Sequence, residues 1–502
     1  MIKGRSVTSY DMVIVGNGIL GCATALELVR RDGGLRVAVV GPEARAGAAT
    51  TAAGAMLNCV AEVNHRTLST AAGQAKLDLS IRALEAWPDW LDAINAELPP
   101  DRRLAIRNGT YVILNARAGR LDSLNYHAIV DAATRYRQRF EHVPSGDVPH
   151  LKPGVDARPL SAVYLPDEGS IDARQVLDAV VSVARRAGVV FLDDTVAGWK
   201  RNGDRIGSVV TESGAEIQAD NFLVAAGAAS HSLLTELNES AESAEGAAMP
   251  LQPVLAGKGV AVTVRGTGSG AEHVVRTPNR AGGCGLHMVP GSDGTVYLGA
   301  TGDLALEPDE SQTVGSVRFL ISMMEQFDKR LFRSEIIRWH VGNRPVSVDG
   351  FPLVGRVWQD NLWVLSGTHR DGFHCSPLLA RHMADLMLGG AGVLGDHPFV
   401  PLRQPIRTMS REDAIDELAL HLVSQFYESS GRSPAYSEVS EVLERQYRTR
   451  TRETYDDLGI DFGLAPDLLG LLNWAADRDA KIGYFRDYFQ RVSRAEALAP
   501  TR

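Results

Sequence analysis

The chain has 502 residues, 44% of them hydrophobic, and its 61 Asp and Glu against 52 Lys and Arg leave a formal charge of −9. That length suggests about two to four domains, the apolar content excludes global disorder, and an acidic balance without a long basic run excludes nucleic acid as a default partner. No run of about 18 apolar residues is present to span a membrane, the first strand begins too early to leave room for a signal peptide, and four cysteines (Cys22, Cys59, Cys284, Cys375) lie far apart without a CxxC pair; the expectation is a soluble, cytoplasmic protein with free thiols.

Residues 12–15 read as a buried parallel strand, followed by Gly16-x-Gly18-x-x-Gly21 and a helix-like run from 21 to 30. Gly16 permits the tight turn, Gly18 lets backbone approach a pyrophosphate, and Gly21 lets the helix pack on the strand. The helix N-terminus offers free N–H groups to phosphate. Strand before and helix after favour a dinucleotide site over a generic glycine turn.

A second strand covers 35–40. The acid that normally ends it, to bond the ribose hydroxyls, is replaced by Gly41, with Glu43 two residues on and Arg45 nearby. Three readings stay open there: Glu43 reaches back, backbone groups hold the ribose, or the missing carboxylate makes room for the extra phosphate of NADP.

The small-residue loop 48–57 allows close approach to a flat ring or a pyrophosphate, or serves as a flexible linker. The spacing of Leu77, Ile81, Leu84 and Leu91 predicts a helix over 72–97, stopped by Pro99-Pro100, and 106–114 reads as a strand. Asp172 is the expected N-cap of a helix over 174–187. Strands follow at 189–192 and 205–211, and 220–230 is a further buried strand ending in small residues. The Ala/Glu/Ser/Gly-rich stretch 236–249 reads as a mobile surface loop. Short strands at 257–264, 286–289 and 295–299, separated by Gly-rich turns, point to a second, mostly antiparallel domain. A strand over 362–367 leads through Gly372 into a helix over 377–388.

Seven segments, in order, resemble the flavin-dependent amine and amino-acid oxidase superfamily of the glycine oxidase and D-amino acid oxidase type: 13–21, 51–57, 168–172, 224–230, 288–290 with 298–301, 342–355, and 367–372. The likeness runs from about residue 10 to about 395. It implies an α/β fold with a discontinuous, Rossmann-like FAD-binding domain (9–60, 150–250 and 340–395) and an antiparallel-sheet substrate domain (61–149 and 251–339). It also weakens the NADP reading, because the later motifs match flavin contacts.

The resemblance implies that Gly16, Gly18, Ile19, Leu20, Gly21, Glu43, Thr50, Thr51, Ala53, Gly54, Met56, Val196, Ala226, Gly227, Arg344, Arg370, Asp371, Gly372 and Phe373 contact FAD. A helix beginning after Gly372 would aim its positive end at the flavin and stabilise the negative charge that builds there. Arg344 matches the arginine that grips a substrate carboxylate, the alternative being a structural salt bridge. Arg370 matches a second active-site arginine, and His369 faces either flavin or bulk. His287 stands where such enzymes place a tyrosine, as a pH-dependent substitute or as a satisfied strand histidine. Met56 would wall the flavin or belong to the core. No Cys stands at 341–343, where attachment would occur, so the FAD is expected to be noncovalent.

The implied reaction passes a hydride from the α-carbon of an amine or amino acid to flavin N5, hydrolyses the imine, and reoxidises the flavin with dioxygen to peroxide. Two other readings are a 2-hydroxy acid dehydrogenase and a flavoprotein scaffold without turnover. The likeness stops near Pro401. Apolar stripes at Ile415/Leu418/Leu422/Phe426, Val439/Val442/Leu443/Tyr447, Leu468/Leu469/Leu472/Trp474 and Tyr484/Phe485/Tyr488/Phe489 predict a helical extension over 401–502. It is expected to serve dimerisation, partner docking or as a lid, in which case a larger substrate from a specialised biosynthetic pathway would suit it.

Overall fold

In the computed structural model, which describes residues 9–245, 248–266, 271–281, 285–428 and 437–498, the strand Ser9–Val15 lies at the centre of a sheet. It pairs in parallel with Val37–Val40 on one side and Glu216–Val224 on the other, and Val190–Leu192 and Leu362–Ser366 extend the parallel set. The hairpin of Val196–Asn202 and Arg205–Thr211, with the antiparallel edge Leu353–Arg356, completes eight strands among the described residues. The central strands are continuous apolar runs because both faces are covered. Helices Ile19–Arg31, Ala173–Arg186 and Ser376–Met387 pack on one face, sealed by Trp87 and Trp90 of the helix Ala71–Asn95. Val13, Val15, Phe222 and Val224 pack on the other face with Leu234 and Leu237.

A second, ten-stranded sheet is built around Val254–Arg265, which pairs antiparallel with Glu335–Ser347 over nearly its whole length. Most of its pairs are antiparallel; Val274–Arg276 lies parallel to Arg107–Asn115. The long strand Pro159–Ser170 and the strand Glu335–Ser347 both belong to this sheet. The strand Glu335–Ser347 runs unbroken through residue 340.

One local expectation differs and one holds. The stretch 236–249 is not a loop through its first half: the helix Ser230–Glu245 continues through it, since Ala, Glu and Leu are strong helix formers and outweigh the loop-like composition. Asp172 does cap the helix Ala173–Arg186, its side chain accepting the N–H groups of Arg174 (2.9 Å) and Gln175 (3.0 Å). Cys22, Cys59 and Cys375 are buried free thiols, and Cys284 lies outside the described residues. Among the described residues no helix is long and apolar enough to cross a membrane.

Beyond residue 401 the described chain forms helices Arg411–Glu428, Ser437–Leu458, Pro466–Trp474 and Arg478–Leu498. Ser410 and Asp413 cap the first reciprocally. Ile415, Leu418, Leu468, Leu469, Leu472, Phe485, Tyr488 and Phe489 form one core with Leu255, Val346 and Val348 of the two long antiparallel strands and the turn after them. The extension is thus built into the second sheet. The stripe Val439/Val442/Leu443/Tyr447 is not its buried face: Val442 is 45% exposed, and the helix turns Thr451, Thr454, Tyr455 and Leu458 inward instead.

One buried acid ties the sheets to the site. Glu168, 3% exposed at the end of Pro159–Ser170, accepts the backbone N–H groups of Cys59 (3.0 Å), Val60 (2.5 Å) and Ala61 (3.2 Å) through Oε1. Burial pushes its carboxyl up to about 7, against the N–H bonds that favour ionisation. A folded pKa above the unfolded value contributes stability that is present below the unfolded pKa and is lost as pH rises through about 7. Thermal melts of Glu168→Gln, which keeps an acceptor without a charge, should lose less stability than wild type between about pH 5 and pH 8; parallel curves would refute this.

Candidate active site

The glycine turn is a backbone cradle. Gly16 has φ +114°, and a Cβ there would stand 2.3 Å from the carbonyl oxygen of Ala225. A Cβ on Gly21 would stand 2.1 Å from the carbonyl oxygen of Gly16, so helix and turn meet backbone to backbone. Gly18 faces the Thr50 hydroxyl, which accepts the N–H of Ile19 at 3.2 Å. A cavity of about 550 Å³ begins at this turn. It runs along the 45–56 loop and Ala226–Gly227 to Arg344 and the 368–374 turn.

Of the expected cofactor contacts, Gly16, Gly18, Ile19, Leu20, Thr50, Ala53, Gly54, Met56, Val196, Ala226, Gly227, Arg344, Arg370, Asp371, Gly372 and Phe373 line this cavity. Gly21, Thr51 and Glu43 do not. Gly21 is spent on packing, and the Thr51 hydroxyl donates to the carbonyl of Ala48 at 3.2 Å. Glu43 is exposed, with its N–H held by Asp193 at 2.7 Å, so it does not reach back. The reason for Gly41 is now visible: a Cβ there would lie 2.7 Å from Asn17 Cγ. Asn17 occupies that space and donates to the carbonyl of Pro42 at 2.9 Å. Arg45 lines this end of the cavity, its Nε donating to the carbonyl of Asn17 at 3.1 Å.

At the other end, Arg344 stands on the strand Glu335–Ser347 opposite Gly257, and its guanidinium donates to the carbonyl of Thr301 at 3.3 Å. Gly259 makes the room: a Cβ there would be 2.4 Å from Arg344 Nη2. The strand is pinned to the cofactor loop by Asn343, whose backbone N–H donates to the carbonyl of Gly47 at 2.9 Å. His369 sits in the turn at φ +50°, its N–H on the carbonyl of Pro345 at 2.7 Å. Lys76 pairs with Asp371 at 3.0 Å. Residues 372–374 then pass along the cavity into the helix Ser376–Met387, while the Phe373 ring stacks on Trp87 in the core.

His287 and His369 both line the cavity as neutral rings. Burial pushes His287 down to about 4, and Arg276 and Arg344 add to the shift. Its Nδ1 lies 2.9 Å from the carbonyl of Gly285 and must donate to it, which leaves Nε2 with its lone pair. Burial, then Arg370, Lys76 and Arg344, hold His369 far below the ordinary range.

Two groups at the site escaped the sequence reading. Tyr297 stacks on His287 (5.8 Å, 11°) and donates its hydroxyl to the carbonyl of Ala52 at 2.8 Å. Alternation within 295–299 could have flagged it. Glu62, also in the cavity wall, is paired with fully buried Arg276, 214 residues away, for which no local signal exists.

A family model described as DAO, FAD dependent oxidoreductase, matches residues 11–386. The chain belongs to that family. FAD is the DAO family's cofactor, and the cradle fits it: glycines at the three places where side chains would collide with backbone or fill the channel, and a helix N-terminus facing the cavity. The chain is 27% identical over 401 residues to the glycine oxidase of Pseudomonas aeruginosa, covering 78% of this chain and 99% of that one. It is 27% identical over 385 residues to hydrogen cyanide synthase subunit HcnC of the same organism, covering 70% and 85%. In fold it is similar to the crystal structure of glycine oxidase from Geobacillus kaustophilus, with a TM-score of 0.66, 21% identity, and coverage of 79% and 100%. The DAO match ends before the four C-terminal helices.

Gly16→Ala should fold poorly or purify without the visible flavin bands. Flavin absorbance equal to wild type in a normally folded variant would contradict the cradle.

Proposed function

We propose that this DAO-family protein oxidises the C–N bond of an amine or amino acid, with noncovalent FAD, and gives an imine that water converts to a carbonyl compound and ammonia or an amine. The observation that carries this reading is the placement of two guanidinium groups, Arg344 and Arg370, in the same cavity as the glycine cradle. The likeness to glycine oxidases supports it. The chemistry FAD supplies there is acceptance of two electrons from the substrate carbon and their transfer to dioxygen, with peroxide as product.

The protein's own part is orientation and electrostatics. Arg344, held open by Gly259 and anchored on the carbonyl of Thr301, takes the substrate carboxylate and fixes the α-carbon. His287 Nε2, an acceptor, receives an N–H of the substrate amine. Its neutrality avoids repulsion of a cationic substrate and agrees with a reaction that needs no strong base. The helix beginning at Ser376 places its positive end behind the 372–374 wall, favouring negative charge in the cavity.

Anaerobic addition of amines and amino acids should bleach the bound flavin, and air should restore it with release of peroxide. Bleaching by 2-hydroxy acids alone would replace this reading with a dehydrogenase. Arg344→Ala should lower kcat/KM for carboxylate substrates by about 10²–10³, and Gly259→Ala should raise KM by pushing the guanidinium aside. A carboxylate substrate turned over normally by both would sink the assigned role.

A further inference from the structure

The flavin cavity does not end at the arginines. A second cavity, about 280 Å³, and a third, about 440 Å³, both continue from His369 and Arg370, and the third also includes Arg344. Both are walled on their far side by the C-terminal helices, with His421, Pro466 and Asp467 common to the two. A substrate as small as a two-carbon amino acid, held at Arg344, would leave the rest of this annex without contact. The far wall of the annex, with His421, Pro466 and Asp467, is made by residues outside the 11–386 family match, while its near side, with Asp303, lies within it.

Its charge is distributed unevenly. At the shared wall stand Arg344 and Arg370. Away from it, the third cavity is lined by Leu418, Leu422 and Leu471 and by two exposed carboxylates, Asp303 and Asp467. The strand Asp303–Ala305 packs directly on the helix Pro466–Trp474, which brings these two acids to one region. Nearby cations have other partners: Glu417 holds His65 (3.1 Å), Arg66 (3.1 Å) and His421 (3.3 Å), and Asp371 holds Lys76 (3.0 Å). Lys258, opposite Asp303 across the strand pair, is held by Asp309 at 2.5 Å, and among the described residues neither Asp303 nor Asp467 stands in a salt bridge.

We propose that the C-terminal helices complete the substrate chamber, and that Asp303 and Asp467 select amino acids whose aliphatic side chain ends in a cation. The carboxylate of such a molecule lies at the arginines, its methylenes run along the leucines, and its distal ammonium or guanidinium reaches the two acids. Asp467 also stands in the first turn of its helix, where any acid is favoured by the dipole; the two roles separate in binding measurements.

This inference rests on the amine-oxidation reading, so its test has two arms. In calorimetric titration of the FAD-loaded full chain, ε-aminocaproate should bind about tenfold more tightly than caproate. Asp467→Asn and Asp303→Asn should each erase most of that preference, and Asp467→Glu should keep it. In turnover, lysine should exceed norleucine in kcat/KM for at least one enantiomer, and the ratio should fall by about tenfold in Asp467→Asn. Equal binding of the two caproates, or a preference unmoved by both Asn variants, overturns the inference. If neutral amines bleach the flavin and lysine has no advantage, the inference fails alone. If no amine bleaches it, the function reading fails and takes the inference with it.

Discussion

The active site depends on backbone touching backbone at the C-terminal ends of the strands Ser9–Val15 and Glu216–Val224. Gly16 lies against the carbonyl of Ala225, and Gly21 against the carbonyl of Gly16. Parallel pairing from Ser9 with Gln218 to Val15 with Val224 sets this contact, because a slip of one residue would bring a side chain into it. Only with the turn this close does the first helix start at the cavity, with Ile19 bonded to Thr50. Everything farther along the cofactor channel is positioned from there, through the 47–52 loop to Asn343 and so to Arg344.

At the reactive end the protein combines fixed cations with silent histidines. Burial, with Arg276 and Arg344 beside His287 and with Arg370, Lys76 and Arg344 beside His369, holds both imidazoles below their ordinary range. On the amine-oxidation reading proposed above, the result is a site whose positive potential is confined to places that suit a carboxylate. The neutral rings can accept a hydrogen bond without competing for it. Tyr297, stacked on His287 and tied to Ala52, keeps that ring and the cofactor loop in register.

Much of this was legible because it is local. The glycine spacing and the cap at Asp172 are encoded within a few residues of themselves, and Arg344 was reached through the motif at 342–355. Gly41 was misleading for a non-local reason: the missing acid is explained by the Asn17 side chain filling its space, and no pattern in 35–45 reveals that. The Glu62–Arg276 pair joins segments 214 residues apart, so only the fold brings it together. Composition alone misjudged 236–249, where helix formers outweigh Ser and Gly. The apolar stripe at 439–447 was a true helix signal, but its burial depended on neighbours that the chain places elsewhere.

Leu255, Val346 and Val348 share their core with Ile415, Leu468 and Phe485, so an apolar face of the second sheet is covered by residues that come later in the chain. During synthesis that face therefore stays uncovered until the helices from Arg411 onward have been made and dock. Such transiently open sheet surface is where nascent chains aggregate. A chain cut short at the end of the family match would leave that face open.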